Sequence, residues 1–219
     1  MKQVIDRIND CKIIAVLSGI SADRIIPAVK ALTDGGIDCV VIEFDPKGII
    51  DPKSICDCIL MVSRYFGDKV CVGAGNVTSA SEAELSAVCG ADFILCNHTD
   101  SFIIETAKEH SLTVISGAFT PTEIISAKNC GADIVNIYPA SFFGTEYLEE
   151  ITASLPDINL CVSGGVNVWN MRAFLDCGCF AAIVGGSLVS EALKASPDYE
   201  IITQTAIAYK GITENIRKR

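Results

Sequence analysis

Short runs of aliphatic residues, many of them β-branched, alternate with longer amphipathic stretches along the whole chain. Continuous apolar runs are typical of strands that a parallel sheet buries on both faces. Apolar residues at helical spacing predict helices between them. The predicted strands are Ile13–Leu17, Cys39–Glu43, Val70–Gly73, Phe93–Cys96, Thr113–Ile115, Ile134–Ile137, Leu160–Val162 and Ala182–Val184. The predicted helices lie near residues 2–10, 21–34, 52–66, 78–89, 100–110, 121–130, 145–154, 167–177 and 198–214.

Residues that start and end helices support this alternation. Ser79 and the Thr120-Pro121 pair are typical N-terminal caps. The segment Cys89-Gly90-Ala91-Asp92 recurs as Cys130-Gly131-Ala132-Asp133, each time between a predicted helix and a predicted strand. Glycine at this place is typical of a left-handed helix C-cap. The recurrence indicates one strand–helix unit used repeatedly.

Eight strand–helix alternations are compatible with a closed barrel or with a doubly wound open sheet. No G-x-G-x-x-G opens the first unit, as a dinucleotide-binding open sheet would require. Glycine pairs instead follow the last two strands, where barrels place phosphate groups. We therefore predict a single α/β domain over residues 1–219, a (β/α)₈ TIM barrel with an extra N-terminal helix.

Composition narrows the classes of function. The 219 residues carry a formal net charge of -10, which argues against a nucleic-acid surface because phosphate backbones need clustered Lys and Arg. No apolar run reaches the length of a membrane span, and no leader pattern opens the chain. We expect a cytoplasmic protein that contacts neither membrane nor nucleic acid.

The eleven cysteines fall mainly in apolar segments, where free Cys acts as a small buried hydrophobe. An odd number of Cys in such positions favours a reducing compartment. Cys56 with Cys58, and Cys177 with Cys179, are two residues apart, which is a poor spacing for shared ligation on a helix. The sequence therefore predicts no metal site.

Two glycine-rich turns are the leading candidates for ligand binding. They are Ser163-Gly164-Gly165 after the seventh strand and Gly185-Gly186-Ser187 after the eighth. Glycine lets backbone N–H groups approach a ligand, and the serines offer hydroxyl donors. The alternative is that such turns need Gly for geometry alone. Two turns in neighbouring units favour a site for a small phosphorylated anion.

Two further candidates lie at the ends of the second and third strands. Glu43 closes an apolar strand, where partial burial would raise its pKa and suit it to proton transfer. The alternative is a solvated carboxylate, or one paired with Lys47. Gly73 and Asn76 end the third strand, where small residues leave space and the amide can donate to a ligand. The alternative for these two is a tight turn.

Several motifs occur in order at the spacing of barrel units. They are Glu43, Gly73-Ala74-Gly75, Gly117 with Thr120-Pro121-Thr122-Glu123, Tyr138-Pro139-Ala140, Ser163-Gly164-Gly165 and Gly185-Gly186-Ser187. Through them the chain resembles the 2-keto-3-deoxy-6-phosphogluconate / 4-hydroxy-2-oxoglutarate aldolase family, from about residue 8 to residue 214.

The resemblance implies a cytosolic, homotrimeric, metal-free and cofactor-free class I aldolase. Such enzymes cleave a 2-keto-4-hydroxy acid to pyruvate and an aldehyde. It further implies that Glu43 shuttles protons and that the glycine turns hold the substrate phosphate. A lysine on the sixth strand forms the Schiff base in this family, and Asn136 stands at that position here. An amide cannot form an iminium, so the covalent electron sink is missing.

Other departures fall at the same end of the expected substrate. Ser18 and Lys47 stand where the family has arginine, and Asn76 replaces a threonine. A Cys96-Asn97-His98 segment replaces Ser-Pro-Gly.

Two interpretations of this altered end stay open. Lys47 supplies the missing amine, or Asn136, Asn76, Asn97 and His98 form a neutral polar cluster.

Three functions follow, in descending order. The first is an aldolase-type lyase acting on a small phosphorylated 2-keto acid. The second is a non-catalytic or repurposed barrel that binds a sugar phosphate or phosphorylated acid. The third is another phosphate-binding barrel enzyme that abstracts a proton through Glu43, such as an epimerase or decarboxylase.

Overall fold

The computed structural model describes residues 4–142, 144–189, 197–214 and 216. Its strands are β1 (Ile13–Leu17), β2 (Cys39–Glu43), β3 (Cys71–Gly75), β4 (Phe93–Leu95), β5 (Thr113–Ala118), β6 (Ile134–Ile137), β7 (Leu160–Val162) and β8 (Ala181–Val184). Its helices are α1 (Val4–Cys11), α2 (Ala22–Asp34), α3 (Pro52–Phe66), α4 (Ala80–Val88), α5 (Ser101–Glu109), α6 (Pro121–Asn129), α7 (Gly144–Ser154), α8 (Met171–Asp176) and α9 (Tyr199–Ile212).

The eight strands are parallel and close into a barrel in chain order. Closure is made by β8, which pairs with β1 with Ile13 opposite Ala182. The predicted (β/α)₈ barrel and its N-terminal helix are therefore confirmed, and the open sheet is wrong. All carboxyl ends of the strands meet at one rim, which we call the mouth, and all amino ends meet at the other, which we call the base.

Strand burial follows from the aliphatic sequence. Almost every strand residue is buried, because helices cover the outside and side chains fill the inside. Small residues admit large neighbours inside the barrel. A Cβ on Gly73 would lie 2.5 Å from the Phe93 ring, and one on Gly75 would lie 2.4 Å from Cγ1 of Val41. The two glycines of β3 thus make room for packing.

The repeated Cys-Gly-Ala-Asp segment performs the same structural task twice. Gly90 and Gly131 have φ of 84° and 102°, the left-handed conformation expected after a helix. The Asp92 carboxylate accepts the Val72 N–H at 2.9 Å, and the Asp133 carboxylate accepts the Val114 N–H at 2.8 Å. Each unit thereby ties its own strand to the preceding one.

Helix caps also follow the sequence. The Ser79 side chain accepts the N–H of Glu82, and Thr120 with Glu123 forms a reciprocal capping box. The eighth helix is shorter than the predicted span of 167–177, because residues before it form a side-chain-supported turn. In that turn the Asn167 carboxamide oxygen accepts the Trp169 N–H at 2.9 Å.

None of the helices in the described part of the chain is long and apolar enough to cross a membrane.

Candidate active site

A cavity of about 480 Å³ opens at the mouth of the barrel. The end of β2, the segment after β4 and both glycine-rich turns contribute to its wall. Its lining residues are Val16, Ser18, Glu43, Leu95, Asn97, Tyr138, Ser163, Gly164, Gly165, Val166, Asn167, Ile183, Gly185, Gly186 and Ser187. The structure thus brings most of the predicted site residues into one cavity.

Glu43 is half-buried in this cavity, at the last position of β2. Burial raises the pKa of its carboxyl above the usual value, and a hydrogen bond from Ser18 opposes the shift. The Ser18 hydroxyl donates to Oε2 of Glu43. The facing residue in register is Gly75, which carries no side chain to fill the space. A carboxyl held in this way can take or return a proton near pH 7 more readily than a solvated one.

Lys47 lies outside the cavity. Its side chain is exposed, and its backbone N–H donates to the Asp45 carboxylate at 3.0 Å. Ile49 and Ile50 donate to the same carboxylate, so Asp45 organises the loop that carries Lys47. The partner of Glu43 is therefore Ser18 and not Lys47.

The turn after β7 depends on its two glycines. Gly164 and Gly165 have φ of 82° and 83°. A Cβ on Gly164 would lie 2.9 Å from Cα of Pro139, and one on Gly165 would lie 2.5 Å from the Ser141 side chain. Backbone geometry alone thus requires both glycines, and the same geometry places the turn on the cavity wall.

The turn after β8 is joined to the turn after β7 by one side chain. The Ser187 hydroxyl donates to the carbonyl oxygen of Val166 at 2.9 Å and accepts from the Tyr209 hydroxyl at 2.8 Å. The two turns are consequently held side by side. The expectation that Ser187 offers its hydroxyl hydrogen to a ligand is corrected, because that hydrogen already serves Val166.

Several backbone N–H groups of the two turns are left without a protein acceptor. Within the described residues, the N–H groups of Gly164, Gly165, Gly186 and Ser187 donate no hydrogen bond. No Lys or Arg side chain from that part of the chain lines the cavity. The features suited to an anion here are therefore backbone dipoles, which favour negative charge where successive N–H groups converge.

Asn136 is fully buried on β6 and does not line the cavity. Its Nδ2 donates to the Ser163 hydroxyl oxygen at 2.8 Å, and the Cys161 thiol contacts its Oδ1 at 3.9 Å. The amide supports Ser163 from below. Because Ser163 accepts this bond, its own hydroxyl hydrogen remains for a ligand in the cavity.

Gly73 and Asn76 also lie outside the cavity wall. Gly73 accommodates the Phe93 ring, as described above. Nδ2 of Asn76 donates to the carbonyl oxygen of Phe44 at 3.1 Å, and Asn76 has a φ of 54°. The structure therefore assigns both residues to packing and turn formation, the alternative that the sequence had left open.

The predicted neutral cluster of four polar side chains is not assembled. Asn97 lines the cavity, but the His98 side chain is exposed outside it. The His98 carbonyl oxygen accepts the Gly117 N–H at 3.3 Å. Since Asn76 and Asn136 are engaged elsewhere, Asn97 is the one member that faces a ligand.

Tyr138 and Asn167 line the cavity but escaped the sequence analysis as site residues. Tyr138 stands two positions after Asn136, so alternation along β6 would have indicated a residue on the same face. Asn167 fell within a predicted helix, so its position at the mouth carried no signal.

The fold and the mouth together define a (β/α)₈ barrel with an enzyme-type site at the carboxyl ends of its strands. The chain belongs to the KDPG and KHG aldolase family, whose model matches residues 4–205. This confirms the resemblance that the sequence motifs indicated.

Two curated relatives and one solved structure show the extent of the similarity. The chain is 32% identical over 199 residues to 2-dehydro-3-deoxy-6-phosphogalactonate aldolase of Escherichia coli K12, covering 90% of this chain and 92% of the relative. It is 25% identical over 186 residues to the KHG/KDPG aldolase of the same strain, covering 84% of each. A structure described as native KDPGal superposes with a TM-score of 0.83 at 30% identity, covering 93% of this chain and 95% of the other.

Proposed function

We propose that this chain acts as an aldolase-type lyase on a small phosphorylated 2-keto-4-hydroxy acid, without forming a Schiff base at residue 136. The observation that carries the proposal is the cavity itself. It joins the half-buried Glu43 to two glycine turns whose N–H groups have no acceptor in the described chain. The family relationship supplies the reaction class and the chemistry of the ligand.

The turns bind the phosphoryl end of the ligand, and Glu43 transfers the protons. The Glu43 carboxylate removes the proton of the C4 hydroxyl. The electron pair of that O–H bond forms the aldehyde carbonyl as the C3–C4 bond breaks. The pair of the broken bond moves into the pyruvate enolate, whose oxygen accepts from the Ser163 hydroxyl. Glu43 then returns the proton to C3, which releases pyruvate.

Asn136 makes this reaction slower than one that uses a lysine. An iminium neutralises the charge that develops on cleavage, whereas a hydrogen bond from Ser163 only shares it. Loss of a nucleophile that acts in a unit lowers turnover by roughly a millionfold in well-studied enzymes. We therefore expect slow cleavage that depends on Glu43.

The first experiment measures cleavage and covalent trapping in the same preparation. The purified chain is incubated with 2-dehydro-3-deoxy-6-phosphogalactonate, and pyruvate is followed by a coupled reduction. A parallel sample with pyruvate and borohydride is analysed by intact mass. We expect slow pyruvate release, a fall of about 10²–10⁴-fold in Glu43→Gln, and no added mass. Added mass on a lysine such as Lys47 contradicts the non-covalent route.

The second experiment restores the missing amine. Asn136→Lys is expected to gain both a borohydride-trapped adduct at residue 136 and faster pyruvate release. Asn136→Met has a similar length without an amine and is the matched control for repacking around Ser163. A folded Asn136→Lys protein that forms no adduct would show that residue 136 does not face the keto carbon.

One observation favours a second candidate, a repurposed barrel that binds a sugar phosphate. Among the described residues no cation lines the cavity, so the carboxylate of a keto acid meets no Lys or Arg there. Ser18, at a position of a family arginine, is engaged with Glu43 instead. Tight binding of a sugar phosphate, with no pyruvate release from the keto acid, would establish this candidate.

The remaining expectations stay predictions. They are a homotrimer, a cytoplasmic location, no cofactor in the reaction, and no nucleic-acid or membrane partner. Mass photometry at nanomolar concentration distinguishes a trimer from a monomer directly.

A further inference from the structure

Three cysteines from three different elements meet at the base of the barrel, opposite the mouth. Cys11 ends α1, Cys39 begins β2 and Cys71 begins β3. Cys39 and Cys71 are partners in the β2–β3 register. The Cys39 thiol is hydrogen-bonded to the thiols of both Cys11 and Cys71. All three side chains are buried, with at most 3% of the surface of any of them exposed.

A carboxylate completes the group. The sulfur atoms of Cys11 and Cys39 and a carboxylate oxygen of Asp38 all lie within 4.8 Å of one another. The Cys39 thiol contacts Oδ1 of Asp38 at 3.8 Å. Oδ2 of Asp38 accepts from Nε and Nη2 of Arg7, each at 3.1 Å. Arg7 therefore fixes the carboxylate with its other oxygen directed at the thiols.

We propose that this cluster is a structural Zn²⁺ site, with Cys11, Asp38 and Cys39 as ligands and Cys71 as the fourth. Zn²⁺ prefers four tetrahedral ligands in structural sites, and thiolate, imidazole and carboxylate groups are its usual donors. Thiolates select soft and borderline metals over Mg²⁺ and Ca²⁺. The thiols release their protons to solvent as the metal binds.

The surroundings suit a bound cation complex. Three thiolates and one carboxylate around Zn²⁺ leave two negative charges. Arg7 carries one compensating charge on Asp38, and the Lys210 ammonium carries another where it donates to the carbonyl oxygen of Cys11 at 2.8 Å. A cavity of about 720 Å³, lined in part by Cys11, Asp38 and Cys71, gives an ion access from solvent.

Simple burial of apolar thiols does not account for this arrangement. Cys56 and Cys89 are also buried and hydrogen-bonded to each other, and the structure groups no carboxylate with them. Within the described residues, the group at the base is the one set of three ligand-type side chains at metal-binding separation. Its ligands link the N-terminal helix to two strands at the rim that barrels use for stability.

The test is metal titration of the full chain, reduced and stripped with a chelator. Co²⁺ serves as the spectroscopic probe and Zn²⁺ as the competitor. We expect one equivalent of Co²⁺, thiolate-to-metal charge-transfer absorption, the strong visible bands of a tetrahedral ion, and displacement by one equivalent of Zn²⁺. Cys39→Ser should abolish these bands, and Arg7→Ala should lower Zn²⁺ affinity about 10–100-fold. Cys56→Ser, which alters the other cysteine pair, should behave as the parent.

A measurement on the unmodified chain guards against variants that fail to fold. Zn²⁺ should slow alkylation of Cys11, Cys39 and Cys71 and leave that of Cys58 unchanged, as peptide mass mapping will show. It should also raise the melting temperature, because the metal binds the folded chain. Absence of stoichiometric binding, or equal binding by Cys39→Ser, overturns the proposal. So does a disulfide among these thiols in the freshly isolated chain. Activity at the mouth is a separate readout, so its failure leaves this test unaffected.

Discussion

Glu43 and Asn136 decide the chemistry at the scale of single residues. Glu43 keeps the surroundings of a proton carrier, with burial raising the pKa of its carboxyl and Ser18 holding its orientation. Asn136 keeps only a supporting contact to Ser163. The site therefore retains proton transfer and loses covalent catalysis. The cleavage step depends on hydrogen bonding to the enolate oxygen.

The raised pKa of Glu43 predicts a pH-dependent effect on stability. The carboxyl binds its proton more tightly in the folded chain than in the unfolded chain. The free energy of unfolding therefore decreases as pH rises through the unfolded pKa and then the folded pKa. Glu43→Gln should melt at a higher temperature than the parent at pH 7, and the difference should vanish below about pH 4.

Glu123 is the matched control for that measurement. Hydrogen bonds from the N–H groups of Thr120 and Phe119 lower the pKa of its carboxyl. Its stabilising contribution is present at neutral pH and disappears as pH falls through its folded pKa. Glu123→Gln should consequently lower the melting temperature at pH 7. Equal shifts in the two variants, or a destabilised Glu43→Gln, would contradict the assigned burial of Glu43.

Residue roles that depend on register could not be predicted from the sequence. Glu43 was recognisable because a carboxylate ends an apolar strand. The contact from Ser18 follows from the pairing of β1 with β2, and the loss of the Ser187 donor follows from the placement of Val166 and Tyr209. Spacing along the chain contains neither relation.

At the scale of elements, the two glycine turns act as one structure because Ser187 joins them. The turn after β7 is additionally fixed by its own neighbours. The Gly165 carbonyl oxygen accepts from the Asn170 side chain at 2.9 Å, and the Gly164 carbonyl oxygen accepts the Ser141 N–H at 3.1 Å. With their carbonyl groups occupied, these residues leave their N–H groups for a ligand.

Substitution of Gly165 should disturb both the fold and binding at this turn. Alanine at a φ of 83° is strained, and its Cβ would lie 2.5 Å from the Ser141 side chain. We expect Gly165→Ala to lower stability by about 1–3 kcal/mol and to weaken binding of the phosphorylated ligand. Chemical denaturation and calorimetric titration measure the two effects.

Gly185→Ala is the contrasting variant for stability. The nearest atom to its added Cβ would be Cβ of Val16 at 3.6 Å, an ordinary contact, and its φ is not positive. It should fold with a stability near that of the parent. A Gly165→Ala chain that matches Gly185→Ala in stability would contradict the described geometry of the turn.

Element boundaries were predicted where the sequence pattern was regular and missed where glycine occurred inside a strand. β1, β2, β6 and β7 have the predicted bounds. β3 continues to Gly75 and β5 to Ala118, because small residues there face crowded neighbours inside the barrel. A Cβ on Gly117 would lie 2.2 Å from the backbone of Asn97. Such glycines resemble turn residues until the packing is known.

At the scale of the whole molecule, the charge of the chain opposes its proposed ligand. The formal net charge is -10, and no cation from the described residues lines the mouth. Attraction must therefore be short-ranged, through N–H groups, while the overall field repels an anion. Family members that hold a ligand with arginine would show the opposite balance.

This balance predicts an unusual dependence on salt. Between about 10 mM and 150 mM ionic strength the Debye length falls from about 30 Å to about 8 Å, which screens the repulsion between chain and ligand. The association rate of the phosphorylated ligand should therefore rise with salt in stopped-flow measurements. A rate that falls with salt would show that a cationic side chain guides the ligand.

The central claim is that backbone N–H groups of the two joined turns bind the phosphoryl group. Amide chemical shifts of the ¹⁵N-labelled 23.3 kDa chain test it most directly, with 2-dehydro-3-deoxy-6-phosphogalactonate as ligand and inorganic phosphate as minimal probe. The account predicts large, saturable shifts at Gly164, Gly165, Gly186 and Ser187, and none at Gly36 near the base. Saturable shifts that leave those four amides unmoved would contradict it.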